Sequence, residues 1–214
     1  MKIAIWINSI FGLGGTKRVV SLIANELAKN NEVTIVCNQN RFVEDRSMYH
    51  LIDDVKVVFM NLNSFKNCAE RIYTGCVKRI NNKTKLFNHR CSSKILMDAL
   101  LPKAERKKLV AYFNGMDFDV IIATAYFALY LGIMGPELNA KTVGWQHNCY
   151  DGYLNVPGKI MWQHEEALKR IIPRLDKYVV LSEYDQRDYK KYLNIDTVVK
   201  LNPRSFVSKE KASM

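Results

Sequence analysis

Seven short apolar runs punctuate the chain: KIAIWIN (2–8), EVTIVCN (32–38), VKVVFMN (55–61), FDVIIAT (118–124), KTVGWQH (141–147), KYVVLSE (177–183) and DTVVKLN (196–202). Several are β-branched and nearly continuous in apolar character, the pattern of strands covered on both faces. Between the first two runs the period changes to that of a helix. Val19, Val20, Leu22, Ile23, Leu27 and Ala28 fall on one side, and Lys17, Ser21, Asn25 and Lys29 on the other. Thr16 is placed to act as its N-cap. Residues 66–113 read as helical, with Pro102 where a helix starts anew. Residues 157–173 predict another helix, ended near Pro173, and 184–193 a third, short one. Strands alternating with helices predict a doubly wound α/β fold with a mostly parallel sheet of about seven strands.

The first strand runs into FGLGGTKRVV (11–20). Gly12, Gly14 and Gly15 allow a backbone with positive φ or the close approach of a ligand. The helix that follows offers unpaired N–H groups to an anion. In such a sheet this turn lies at the carboxyl ends of the strands, where ligands bind. Two phosphate-binding patterns fail here. The dinucleotide fingerprint lacks its third glycine, Arg18 or Lys17 standing there. It also lacks the acid after the second strand, where Asn38, Gln39 and Asn40 stand. The P-loop order G-K-[ST] is absent from GGTK.

Composition narrows the class further. The 214 residues are 48% hydrophobic and 25% charged, values of an ordinary globular chain. No apolar stretch approaches the roughly 18 residues of a membrane span, and the N-terminus lacks the form of a secretory signal. Five cysteines (Cys37, Cys68, Cys76, Cys91, Cys149) make an odd count without metal-ligand spacing, so reduced thiols, a cytoplasmic setting and no bound metal are expected. Cys149 beside His147 is a candidate nucleophile, and Asp151 a candidate general base. The net charge is +11, and residues 66–108 hold twelve Lys or Arg against three Asp or Glu. That block is either a solvated helical face or the footprint of an anionic partner.

The order of these features resembles the first domain of the family 4 glycosyltransferases, which have the two-domain GT-B fold. GLGGTKRVVSLIANELAKNNEVTIV resembles the family's opening strand–Gly-Gly–helix–strand unit. FDVIIATAYFALYLG resembles the strand and loop before the acceptor cleft, and KTVGWQHNCYDGYL the strand ending in a cleft histidine. RLDKYVVLSEYDQRDY and LNPRSF resemble the later strand–helix unit and the hand-over to a second domain. The matches span residues 2–206. Two features depart from the pattern. Lys17 stands where the family commonly has glutamate. The family's second domain, with its E-x7-E motif and most contacts to the nucleotide sugar, is expected to be missing.

The resemblance implies a retaining transfer from a nucleotide-sugar donor, which is a substrate and not a cofactor, to a polysaccharide, lipid-linked or cell-envelope acceptor. Residues 1–203 would be the acceptor-side domain with a basic helical insertion at 66–113. Residues 204–214 would begin the linker, and the chain would be inactive alone. Gly14 and Gly15 would hold the donor diphosphate, and His147 would be catalytic. Thr16, Lys17, Arg18, Thr124, Tyr126, Asn148, Tyr150 and Tyr153 would contact the acceptor, with Lys17 meeting its anionic part. Asn148, Tyr150 and Tyr153 are read as loop residues. The 66–108 block, with Leu86, Phe87, Ile95, Leu96, Leu100 and Leu101 among its charges, would dock on the inner face of a membrane. The competing reading is a stand-alone basic α/β module for RNA or an anionic membrane surface. Aromatics between cations in RIYTGCVKRINNKTKLF agree weakly with it, but no RNA-binding motif accompanies them, so nucleic acid is not the expected partner.

Overall fold

The computed structural model describes residues 1–38, 43–62, 65, 67–159 and 161–204. Gln39 and Asn40, the Lys66 start of the basic block and residues 205–214 of the expected linker lie outside these. The strands are β1 (Lys2–Ile7), β2 (Glu32–Cys37), β3 (Lys56–Phe59), β4 (Val120–Thr124), β5 (Lys141–Trp145), β6 (Lys177–Val180) and β7 (Val198–Val199). They form one sheet in the order β3-β2-β1-β4-β5-β6-β7, and every neighbouring pair is parallel. Ile3 faces Val33 on one side and Val120 on the other, so β1 is central. The chain winds outward from β1 through β2 to β3, then returns to β4 beside β1. The sheet therefore reverses its winding between β1 and β4, the position where doubly wound sheets open a crevice.

Alternation along β1 explains why the whole run is apolar. Ile5 and Ile7 join Val20 and Ala24 of α1 (Gly15–Ala28) on one face. Ala4 and Trp6 point to the other face, beneath α4 (Lys103–Gly115), α5 (Phe127–Met134) and α7 (Glu165–Ile171). Trp6 is fully buried, its ring 4.9 Å from that of Phe113 and 4.8 Å from that of Phe127.

The basic region forms α2 (Cys68–Thr84), α3 (Ser93–Leu100) and α4. Asn67 caps α2, its side chain accepting from the Glu70 amide at 2.7 Å while Glu70 returns a bond to the Asn67 amide. Pro102 is the N-cap of α4, as expected of a residue that cannot continue α3. Among the described residues no helix is long and apolar enough to cross a membrane.

Several local expectations are corrected. Helix α1 begins at Gly15 with Gly14 as N-cap, so Thr16 lies inside the first turn and caps nothing. Ser21 is buried against the sheet, because its small side chain fits where α1 lies on the strands. The 157–173 helix contracts to α7 and a 3₁₀ turn at Ile172–Arg174, since Pro157 and the left-handed Gly158 (φ 79°) hold the preceding stretch in turns. Residues 184–193 divide into α8 (Glu183–Asp188) and one π-helical turn, Tyr189–Leu193. Tyr150 and Tyr153 lie on α6 (Tyr150–Leu154) and not in a loop. The last strand keeps only two of its expected residues.

Candidate functional site at the carboxyl edge of the sheet

The turns after β1, β4 and β5 share one edge of the sheet, with the reversal of winding between the first two. Gly12 holds φ 82°, a conformation that favours glycine, and swings the chain from β1 toward α1. Gly14 does not offer its amide to the edge. That N–H donates to the Tyr49 hydroxyl at 2.8 Å, brought in by a 3₁₀ turn at Ser47–Tyr49. Gly15 faces open space, for a Cβ built on it meets nothing within 4 Å. The Gly15 and Thr16 amides have no acceptor among the described residues. N–H groups of this kind at a helix start favour an anionic oxygen.

Lys17 is not directed outward as its charge suggested. Its ammonium turns back and donates to the Phe11 carbonyl, its stem passing over Gly14. Partial burial lowers its pKa, with Cys37 acting in the opposite sense. The Arg18 amide donates to the Gly14 carbonyl at 3.2 Å, and its side chain is half-buried.

After β4, the Thr124 hydroxyl is buried and donates to the Trp6 carbonyl at 3.1 Å, tying β4 to β1. Ala125 holds φ 49°, an uncommon conformation for a residue with a Cβ. Tyr126 follows, half-buried, its hydroxyl accepting from the Lys78 ammonium at 2.8 Å.

After β5, the His147 ring packs on Trp145 with centroids 4.4 Å apart. Its Nε2 is buried without a hydrogen-bond partner among the described residues. Burial lowers its pKa to about 4, so the ring is neutral at pH 7. A neutral imidazole offers one donor and one acceptor nitrogen, which suits a sugar hydroxyl. Gln146, itself buried, fixes the approach: its Nε2 donates to the Asn148 carbonyl at 2.5 Å and its Oε1 accepts from the Tyr178 hydroxyl at 3.3 Å. The Asn148 side chain is exposed at the edge.

Tyr150 and Tyr153 are 4% and 7% exposed, and their rings belong to the core. Tyr150 packs edge-on to Tyr189 at 5.1 Å, and its amide donates to Asp185 at 2.8 Å. Burial pushes both hydroxyls up to about 12. Cys149 spends its sulfur as the N-cap of α6, accepting from the Gly152 amide at 3.3 Å. Asp151 accepts from Asn155 at 2.5 Å.

Four residues at or behind this edge escaped the sequence reading: Tyr49, Lys78, Gln146 and His164. His164 is 2% exposed, with Nδ1 2.6 Å from the Trp162 carbonyl and Nε2 unpartnered among the described residues. Burial, with a smaller effect of the Lys78 charge, lowers its pKa to about 4. Of these four, only Gln146 stood beside a singled-out residue; the others are brought in by contacts distant in sequence.

The two histidines set an acid sensitivity. Each has an ordinary pKa of 6.5 and a folded value of about 4. Between those values the unfolded chain holds protons that the folded chain refuses, so stability rises with pH there. Each histidine contributes a slope of about 1.4 kcal/mol per pH unit in that window. Urea unfolding from pH 7 to pH 4 is expected to show this loss on the acid side. Replacing His164 by Gln is expected to remove its share of the slope.

The family model described as Glycosyltransferase Family 4 matches residues 13–204, from the glycine turn past the last strand. A search of curated proteins found no match.

Proposed function

The chain belongs to glycosyltransferase family 4, and we propose that it forms the acceptor-binding half of a retaining enzyme that draws on a nucleotide-sugar donor. Its function is of the glycosyltransferase type. The finer reading is carried by one observation: the Gly15 and Thr16 amides without an acceptor among the described residues, the Tyr126 turn, and the His147 ring, whose Nε2 is unpartnered among those residues, all occur on the carboxyl edge of one sheet.

In this reading the amides at the start of α1 stabilise charge on the leaving diphosphate, by fixed dipoles that need no reorganisation. His147, neutral at working pH, holds a hydroxyl of the transferred sugar or the reacting oxygen. The acceptor enters along Tyr126 and Asn148. Tyr150 and Tyr153 support this wall from behind, and Thr124 holds β4 to β1.

The surface of α2 and α3 supports a lipid-linked acceptor at an anionic membrane. Ile72, Tyr73 and Ile80 on α2, Ile95 (41% exposed) on α3 and Leu86 (54%) between them are exposed in a segment rich in exposed cations. Leu96, Leu100 and Leu101 do not contribute to this surface. They are buried, because α3 packs that side on the core. Phe87 is half-buried.

The test is a transfer assay on this domain joined to a donor-side domain, with UDP- and GDP-sugars and an acceptor in anionic vesicles. Product with the donor's anomeric configuration, formed less readily as salt rises, is the expected result. Inverted product overturns the retaining mechanism. Efficient transfer by the 214-residue chain alone overturns the division of labour.

A further inference from the structure

Among the described residues most of the basic block is a solvated face, but two of its cations are not. Among the described Lys and Arg of residues 67–108, all are exposed except Lys78 and Arg106. Arg106 is matched by the Glu137 carboxylate at 3.1 Å. Lys78 is half-buried, and among the described residues no carboxylate oxygen lies within 4.0 Å of its ammonium. Its nitrogen donates to the Tyr126 hydroxyl at 2.8 Å and sits 5.1 Å from the centre of that ring. An ammonium carries three donors, and among the described residues only one is used, so two remain for an incoming oxygen.

The position of this cation matters more than its charge. Helix α2 delivers it to the first residues beyond β4, beside the reversal of winding. Ala125, at φ 49°, presents Tyr126 there, and Tyr130 closes the aromatic wall at 4.7 Å from Tyr126. His164, buried nearby, supplies no compensating negative charge. Held at Tyr126 with no carboxylate beside it among the described residues, the ammonium is placed to meet an anionic oxygen. Another group of cations is already engaged. In the groove lined by Arg90, Lys169 and Arg170, Lys169 meets Glu166 at 2.7 Å, and Arg170 donates to Ser93 and to the Arg90 carbonyl.

We propose that Lys78, held by Tyr126, binds a phosphate group of the acceptor, so that this edge selects a phosphorylated sugar or sugar-lipid over a neutral one. This rests on the acceptor-half reading above. It also moves the anion contact away from Lys17, whose ammonium is directed to the Phe11 carbonyl.

The test is an amide-shift titration of the 214-residue chain with glucose 1-phosphate, with glucose as the neutral control. A parallel arm uses vesicles containing phosphatidic acid. Saturable shifts at Lys78 and Tyr126 with either phosphate source, and none with glucose, are expected; the source that gives them identifies the phosphate's carrier. Lys78→Gln is expected to weaken binding about tenfold, and Lys78→Arg to stay within roughly threefold of the parent, as for a charge-assisted hydrogen bond. Lys17→Gln is expected to leave affinity unchanged. The arginine variant and the thermal midpoint of each variant separate lost charge from lost fold. Equal binding by Lys78→Gln and the parent overturns the proposal, as does an anion response confined to the glycine turn. Phosphate bound at Lys78 without any sugar transfer by the joined enzyme would instead sink the transferase reading and leave this site standing. Transfer to a neutral acceptor, unaffected by Lys78→Gln, would do the reverse.

Discussion

His147→Ala is expected to lower kcat of the joined transferase by about 10²–10³-fold, the loss seen when one fixed donor at a reacting centre is removed. The expectation follows from three properties of the residue. It stands just beyond β5 at the carboxyl edge of the sheet. Its ring is fixed against Trp145, which keeps its direction without using its nitrogens. Its Nε2 is buried and unpartnered among the described residues, so the group is desolvated before substrate arrives. A group that acts in the transition state lowers kcat when removed, with less change in KM. His147→Asn retains a side-chain donor and is expected to recover part of the rate. With a pKa of about 4, His147 adds no inflection to the pH–rate profile between pH 6 and pH 8. An inflection near pH 6.5 that vanishes in His147→Asn would show that the imidazole titrates in the working range. A change in KM alone would make His147 a binding residue only.

The second large effect falls on stability. Trp6→Ala is expected to reduce the unfolding free energy by about 3–5 kcal/mol, the range for truncating a buried aromatic. Trp6 is fully buried where β1, α4 and α5 meet, and its ring contacts Phe113, Phe127 and Tyr130. Truncation removes all three contacts and leaves a cavity on the central strand. Its carbonyl also holds the Thr124 hydroxyl, so the site feels any shift of β1. Trp6→Phe should cost far less. It keeps an aromatic ring and discards an indole N–H that has no partner among the described residues. The check is urea unfolding, where the alanine midpoint falls with the denaturant slope unchanged. A loss below about 1 kcal/mol for Trp6→Ala would mean that the core collapses around the gap.

The sheet was legible because its strands are covered on both faces. In β1 the alternation of Ile5 and Ile7 with Ala4 and Trp6 feeds two cores, so the run had to be apolar throughout. The carboxyl edge was legible for the same reason: once strands and helices alternate, the turns that follow the strands gather at one end. What could not be read were directions and distant contacts. Lys17 lies on the first turn of α1 as expected, but a long side chain there can fold back, and it does so onto Phe11. Tyr49 reaches Gly14 from 35 residues away, a contact that no local period encodes. Tyr150 and Tyr153 follow a strand end, as a loop residue would, yet the short helix they form turns both rings into the core. Lys78 was one of twelve Lys or Arg within residues 66–108. The packing of α2 separates it from the exposed cations around it.

The central claim is that the carboxyl edge of this sheet receives an acceptor and only weakly a nucleotide. Its most direct test is the amide-shift footprint of the 214-residue chain titrated separately with UDP, GDP and a short-chain lipid phosphate. The predicted result is saturable shifts from the lipid phosphate at Gly15, Tyr126 and His147, with millimolar or no response to either nucleotide. Tight nucleotide binding, or a lipid-phosphate footprint at the opposite edge around Lys2, Lys141 and Asp176, would contradict it.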